Sequence, residues 1–130
     1  MSGQPTAAAP TGEGIGIVVF AGEELWYLDR GGSLTRIQRD AVSRLTTIDL
    51  PGRASDVLFT AGSLWVTLEQ DDQVVRVDAE SGEVTATIDV GPRPTYIVGD
   101  DELIWVAVQG VQGLALIDPT DNEVAATFEL

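Results

Sequence analysis

The chain has 130 residues, of which 21 are Asp or Glu and seven are Arg, with no Lys and a formal charge of -14. That balance disfavours nucleic acid and anionic membranes as partners, since both are held by basic surfaces, and implies solubility with a self-repulsion that salt screens. Cys and His are also absent, which removes disulfides, the thiol nucleophile and imidazole as base or metal ligand, and the missing Lys removes the Schiff-base amine.

Residues 1–12 are small, polar and proline-containing and lack the basic start and apolar middle of a signal peptide. They read as a flexible leader or trimmed linker. No apolar run approaches the roughly 18 residues of a membrane-spanning helix. A cytoplasmic location follows by default, and a trimmed extracellular domain would leave the same remnant.

From residue 13 the chain repeats. The first unit offers short apolar segments at 15–20, 25–28, 34–37 and 45–50. The second repeats them at 55–60, 64–67, 74–78 and 84–90, and the third at 95–98, 104–107, 114–118 and 124–130. Trp26, Trp65 and Trp105, 39 and 40 residues apart, mark the second segment of each unit, while Ile48, Ile88 and Phe128 mark the fourth at intervals of 40. Each segment is rich in Val, Ile, Leu, Thr and aromatics and is bounded by Gly, Pro, Asp or Asn, which predicts strands; no sustained 3.6-residue period supports helix. Gly82 and Asn122 occupy the same place in two of the turns, and both tolerate positive φ. The matching stretch of the first unit, residues 39–44, is one residue longer and has no Gly. A looser turn is expected there.

Four antiparallel strands in a repeat of about 40 residues describe a blade of a β-propeller. The fold class is therefore all-β, with blades at 13–52, 53–91 and 92–130 and Trp26, Trp65 and Trp105 packed between blades. Three blades do not close a ring, because propellers run to roughly four to eight. The set ends at the end of an outer strand, so the first and third blades are each expected to present a bare apolar face. A homodimer pairing the third blade of each copy with the first blade of the other would make six blades. A trimer would make nine, outside the usual range. The alternative is a fragment of a larger propeller.

The repeat resembles the YVTN and NHL-type propellers, in which an inner strand is followed by a "LYVA"-like strand, a V-x-x-I-D-x-x-T-G-x-V hairpin and an I-x-V-G outer strand. Here these read Leu64-Trp65-Val66-Thr67, then Val74 to Val84, then Ile88-Asp89-Val90-Gly91, with Gly91-Pro92-Arg93-Pro94 leading into the next inner strand. The resemblance covers nearly the whole chain from about residue 13. WD-repeats differ, since no Trp-Asp or Gly-His pair occurs. The resemblance implies a propeller, but such propellers serve as lactonases, lyases, sensor domains and binding platforms. Lyases of that kind rely on a histidine, which is missing here.

Three functional readings remain. The first is a non-enzymatic propeller that self-assembles into a closed ring and offers a binding or scaffold surface. Asp56, Tyr96, Arg53 and Arg93 would line one mouth of its funnel, with no cofactor and no metal. The second is a carboxylate-dependent metal hydrolase, lactonase-like, with Asp56 at the start of an inner strand as the leading ligand; by spacing its counterparts are Gly16 and Tyr96. The third is a sensor-domain fragment of a larger signalling protein. Arg53 and Arg93, 40 apart, read more simply as a repeated inter-blade contact. The acidic runs Glu69, Asp71, Asp72 and Asp100, Asp101, Glu102 follow no cation-loop spacing and read as solvated turns. Asp49, Asp89 and Glu129 read as solvated positions on outer strands.

Overall fold

The computed structural model describes residues 16–37 and 45–130. The expected leader and the turn at 39–44 lie outside the described residues. The first sheet holds β1 (Ile17–Ala21), β2 (Glu24–Asp29), β3 (Ser33–Ile37) and β4 (Leu45–Asp49) in sequence order. The second holds β5 (Asp56–Thr60), β6 (Ser63–Leu68), β7 (Gln73–Asp78) and β8 (Val84–Asp89). The third holds β9 (Pro94–Gly99), β10 (Ile104–Val108), β11 (Gly113–Asp118) and β12 (Glu123–Glu129). All neighbouring strands are antiparallel, and the innermost strands β1, β5 and β9 lie next to one another. Beside the expected strands stands one short 3-10 turn, Gln109–Val111.

Tight turns close the hairpins where the residue types predict. Ala61 and Gly62 both have positive φ, 53° and 71°, in the two-residue link between β5 and β6. That pair of signs is the hairpin turn whose twist matches right-twisted strands. Gly82 and Asn122 share one place in the β7–β8 and β11–β12 turns, with φ of 77° and 61°. Each donates its N–H to the carbonyl of the strand-ending aspartate, Asp78 or Asp118, at 2.8 and 3.0 Å. A register shift falls after Arg76 in one outer pair and after Leu116 in the other, again 40 residues apart. Each blade also ends on the same backbone bond: Leu50, Val90 and Leu130 donate to Gly32, Asp72 and Gln112.

Two apolar layers hold the blades together. Between the first and second blades lie Trp26, Leu28, Leu34, Val57, Leu64, Val66, Val75 and Val77. Between the second and third lie Trp65, Val74, Ile88, Ile97, Ile104, Val106, Ala115 and Ile117. Every residue of β6 is buried, since its blade is covered on both faces, whereas β10 alternates between buried and half-buried positions. The strand period of two explains the contrast: a blade with one bare face buries only every second side chain.

Candidate functional site: the blade seams and the inner-strand entrances

Register assigns each side chain to a face. On the second blade Leu58, Trp65, Arg76 and Ala86 lie in one row across the strands, beside the row Asp56, Thr67, Val74 and Ile88. These rows look toward the third blade, since Trp65, Val74 and Ile88 belong to that layer. The Trp-bearing face of each blade is its outgoing face. The opposite face, with Val57, Val66 and Val75, receives the blade before it.

At both internal seams an arginine reaches across. Arg76 stacks over Trp65, its guanidinium carbon 4.5 Å from the ring centroid. It donates to Ser63 Oγ at 2.8 Å and Ala61 O at 3.1 Å on its own blade. It also donates to Pro119 O at 2.9 Å and Asn122 Oδ1 at 2.8 Å in the β11–β12 turn of the next blade. Arg36, one repeat earlier, lies 5.5 Å from the Trp26 centroid, bonds Glu24 at 2.7 Å and donates to Glu80 O at 3.0 Å in the β7–β8 turn. Arg36 and Arg76 are 40 apart, a recurrence that the sequence reading, which weighed only Arg53 and Arg93, passed over. At the third position stands Leu116.

Asp56, the leading ligand candidate, is committed to backbone. Its carboxylate accepts the Val57 N–H at 2.9 Å and, across the seam, the Ile97 N–H at 3.0 Å. Val57 and Ile97 are equivalent positions in successive inner strands, so one carboxylate bridges two repeat-related amides. The register pairs Asp56 with Thr67, Ile17 with Leu28 and Tyr96 with Ala107. The first-blade counterpart of Asp56 is therefore Ile17, not Gly16, because the interval from first to second inner strand is 39 rather than 40. Nearby, Ser55 bonds Thr67 Oγ1 at 2.7 Å and Pro94 O at 3.0 Å.

Tyr96 follows the Asp56 position but on the last blade, and it is 67% exposed. It lies on the outgoing face in one row with Ala107, Leu114 and Phe128, beside the row Val98, Trp105, Leu116 and Ala126. Arg93 contacts the loop after β6, with its guanidinium 3.5 Å from Glu69 and its N–H 3.3 Å from Asp72 Oδ1. That is the inter-blade contact expected of this arginine. Arg53 is exposed in the connection before β5. The four residues proposed for one funnel mouth thus divide: Asp56 and Arg93 join the second and third blades, while Tyr96 faces away from both.

The acidic runs serve turns. Asp101 accepts from Thr60 Oγ1 at 2.7 Å and the Ala61 N–H at 2.9 Å, linking the third blade to the second. These two bonds, the hydroxyl first, hold its carboxyl below the ordinary value of 3.8. Asp100 is held down by the amides of Glu102 and Leu103. Asp78 is lowered first by the Ser81 N–H and then by its hydroxyl, and Asp118 by the Thr120 hydroxyl and N–H. Asp89 accepts from Gln73 on the outer edge. Among the described residues no three His, Cys, Asp or Glu side chains gather as a metal site.

Trp26 and Trp65 are fully buried. Trp105, expected between blades like the other two, is only half-buried, because no blade among the described residues covers its outgoing face. Its ring meets Phe128, centroids 5.7 Å apart.

No family model matches this sequence, and no curated protein matches it. Solved structures match its fold. Hydrazine synthase of Kuenenia stuttgartiensis aligns with a TM-score of 0.71 at 20% identity, over 82% of this chain and 32% of that one. AztD of Citrobacter koseri aligns with a TM-score of 0.73 at 16% identity, also over 82% and 32%. Glutaminyl cyclase of Myxococcus xanthus aligns with a TM-score of 0.60 at 14% identity, over 85% and 50%. The fold is a β-propeller fold with three blades, and the chain spans about a third of the length of the first two structures.

Proposed function

We propose that this chain is a non-enzymatic half-propeller, two copies of which close into a six-bladed ring that serves as a binding scaffold. The observation that carries the reading is the pair of bare faces at the two ends of the blade stack. On the outgoing face of the third blade Tyr96, Val98 and Phe128 are exposed around the half-buried Trp105. On the incoming face of the first blade Val18 and Phe20 are 57% and 58% exposed. Contiguous apolar surface of this kind marks an interface in a soluble protein. By repeat position the two faces are the halves of one seam: Val18 and Phe20 correspond to Val57 and Phe59, which cover Trp26, and Trp105 corresponds to the covered Trp65.

The absence of His, Cys and Lys supports the non-enzymatic part of the reading, as does the use of Asp56 on two backbone amides. A metal at Asp56 would compete with both bonds. Enzymes occur by name among the structural neighbours, but at 14–20% identity the likeness carries fold alone.

Sedimentation or light scattering of the folded chain tests the reading. Twice 13.8 kDa is expected. A monodisperse folded species of 13.8 kDa, or a trimer, overturns it.

A further inference from the structure

The third blade is not a copy of the second with its cover removed. On the second blade the outgoing face is polar where it reaches its neighbour: Asp56 to the Ile97 amide, and Arg76 to Pro119 and Asn122. Thr67, in the Asp56 row, takes the Ser55 hydroxyl. At the same register positions the third blade carries Tyr96, Leu116 and Ala107, with Leu114 and Phe128 in place of Val74 and Ile88. Each polar reaching group has become apolar or aromatic, and two apolar ones have become larger. The incoming face of the first blade matches in chemistry. Register places Val18, Phe20, Leu25, Tyr27, Thr35 and Ile37 in the middle of it, with Asp29 and Asp49 at its strand ends, and the Tyr27 ring lies against Gly16, where a side chain would collide with it.

The exchange has a physical rationale. Blades within one chain are held at high effective concentration, so their seams can include polar clamps and need not draw all of their docking energy from apolar burial. Two separate copies must also offset the loss of translational and rotational freedom, and burial of apolar surface is the contribution that scales to do so.

Resting on the half-propeller reading, we infer that the outgoing face of the third blade is a specialised seam for the first blade of a second copy. It closes head to tail in the internal register, with Tyr96 of one copy against Val18 of the next. The register follows from the repeat. Asp56 touches Ile97 across the internal seam, Tyr96 stands at the Asp56 position, and Val18 stands at the Ile97 position.

Because the natural chain has no cysteine, paired thiols report this register directly. A carboxylate bonded to a backbone amide across a seam sets the two Cα atoms about 6 Å apart, within the span of a disulfide. The double variant Tyr96→Cys/Val18→Cys is expected to run as a covalent dimer without reductant. Neither single variant should do so, and an equal mixture of the two single variants should give a dimer with one link. Cross-linking by Tyr96→Cys alone would show a twofold face-to-face pairing and overturn the seam while leaving a dimer. A dimer by mass that the double variant fails to link overturns it as well. A monomer by mass overturns the half-propeller reading itself. Should the double variant fold poorly, Leu116→Asp gives an independent readout: a charge on this face should weaken association at least about 100-fold while strand content is kept, and unchanged association would refute the seam.

Discussion

Replacing Arg76 with leucine, the residue the third blade carries at that position, tests whether the arginine clamps rank as their geometry says. The change removes four hydrogen bonds from a cation, at 2.8, 3.1, 2.9 and 2.8 Å, and the stacking on Trp65 at 4.5 Å. A hydrogen bond to a charged group contributes about 1.5–3 kcal/mol when its acceptor would otherwise stay dry, and a cation–π contact about 0.5–2 kcal/mol. Pro119 and Asn122 sit in a turn where water can replace the guanidinium, and leucine restores some apolar contact. A net loss of about 2–3 kcal/mol follows for Arg76→Leu. Arg36→Leu breaks only two such bonds, at 2.7 and 3.0 Å, and a looser ring contact at 5.5 Å. Its expected loss is about 1 kcal/mol, as for a partly exposed ion pair with one further bond. Urea unfolding followed by circular dichroism, at one fixed protein concentration, reads both. A loss for Arg36→Leu equal to or larger than that for Arg76→Leu would refute the ranking and the clamp as a source of seam stability.

Trp65→Ala removes a fully buried ring from the inter-blade layer and should cost roughly 3–5 kcal/mol at any protein concentration. Trp105→Ala should instead act mainly on association: its Tm should fall little in dilute samples, and the rise of Tm with concentration expected of the parent chain should disappear. Acid should loosen the blades through Asp101. Its folded pKa lies below the ordinary 3.8, so its contribution is present above that value and is lost as pH falls through the lower folded value. In a pH series of thermal melts Asp101→Asn should flatten the fall in Tm below about pH 4; a fall as steep as the parent's would show that the Thr60 and Ala61 bonds add nothing.

The blade count was legible because tryptophan, outer-strand and turn positions all recur at one interval, and a repeat seen in three registers leaves little freedom in topology. The site was harder to read because it lies in the relation between blades, which a repeat does not encode directly. Arg36 and Arg76 stand 40 residues apart, as do Arg53 and Arg93. Both pairs carry the same sequence signal. What separates them is the face: Arg36 and Arg76 share the strand face of the tryptophans, whereas Arg53 and Arg93 sit in connections between blades. The assignment of Gly16 as the counterpart of Asp56 failed for a related reason. One interval of 39 shifts the inner strand by a residue, and in a strand a single residue reverses the face. Tyr96 looked like a funnel residue because its neighbours in sequence approach the inner end of the blade, but its parity puts the ring on the outgoing side.

The charge distribution sets the sign of one further effect. Each copy carries -14, yet the middle of both bare faces is uncharged: the charges on them stand at strand ends, Asp29 and Asp49 on the first blade and Asp118 on the third. Two copies therefore repel at long range and attract only on contact. Repulsion between exposed charges is cut off beyond about 10 Å at 0.1 M salt and about 3 Å at 1 M, while apolar burial is not weakened by screening. Raising sodium chloride from 0.05 to about 0.5 M should lower the dimer dissociation constant, by roughly tenfold if repulsion costs about 1.4 kcal/mol at the lower salt. A seam held by ion pairs would respond in the opposite direction. Sedimentation across a salt series separates the two, and a dissociation constant that rises with salt would place charged residues at the contact, against the register that assigns Tyr96, Trp105, Leu116 and Phe128 to one side and Val18, Phe20, Leu25 and Tyr27 to the other.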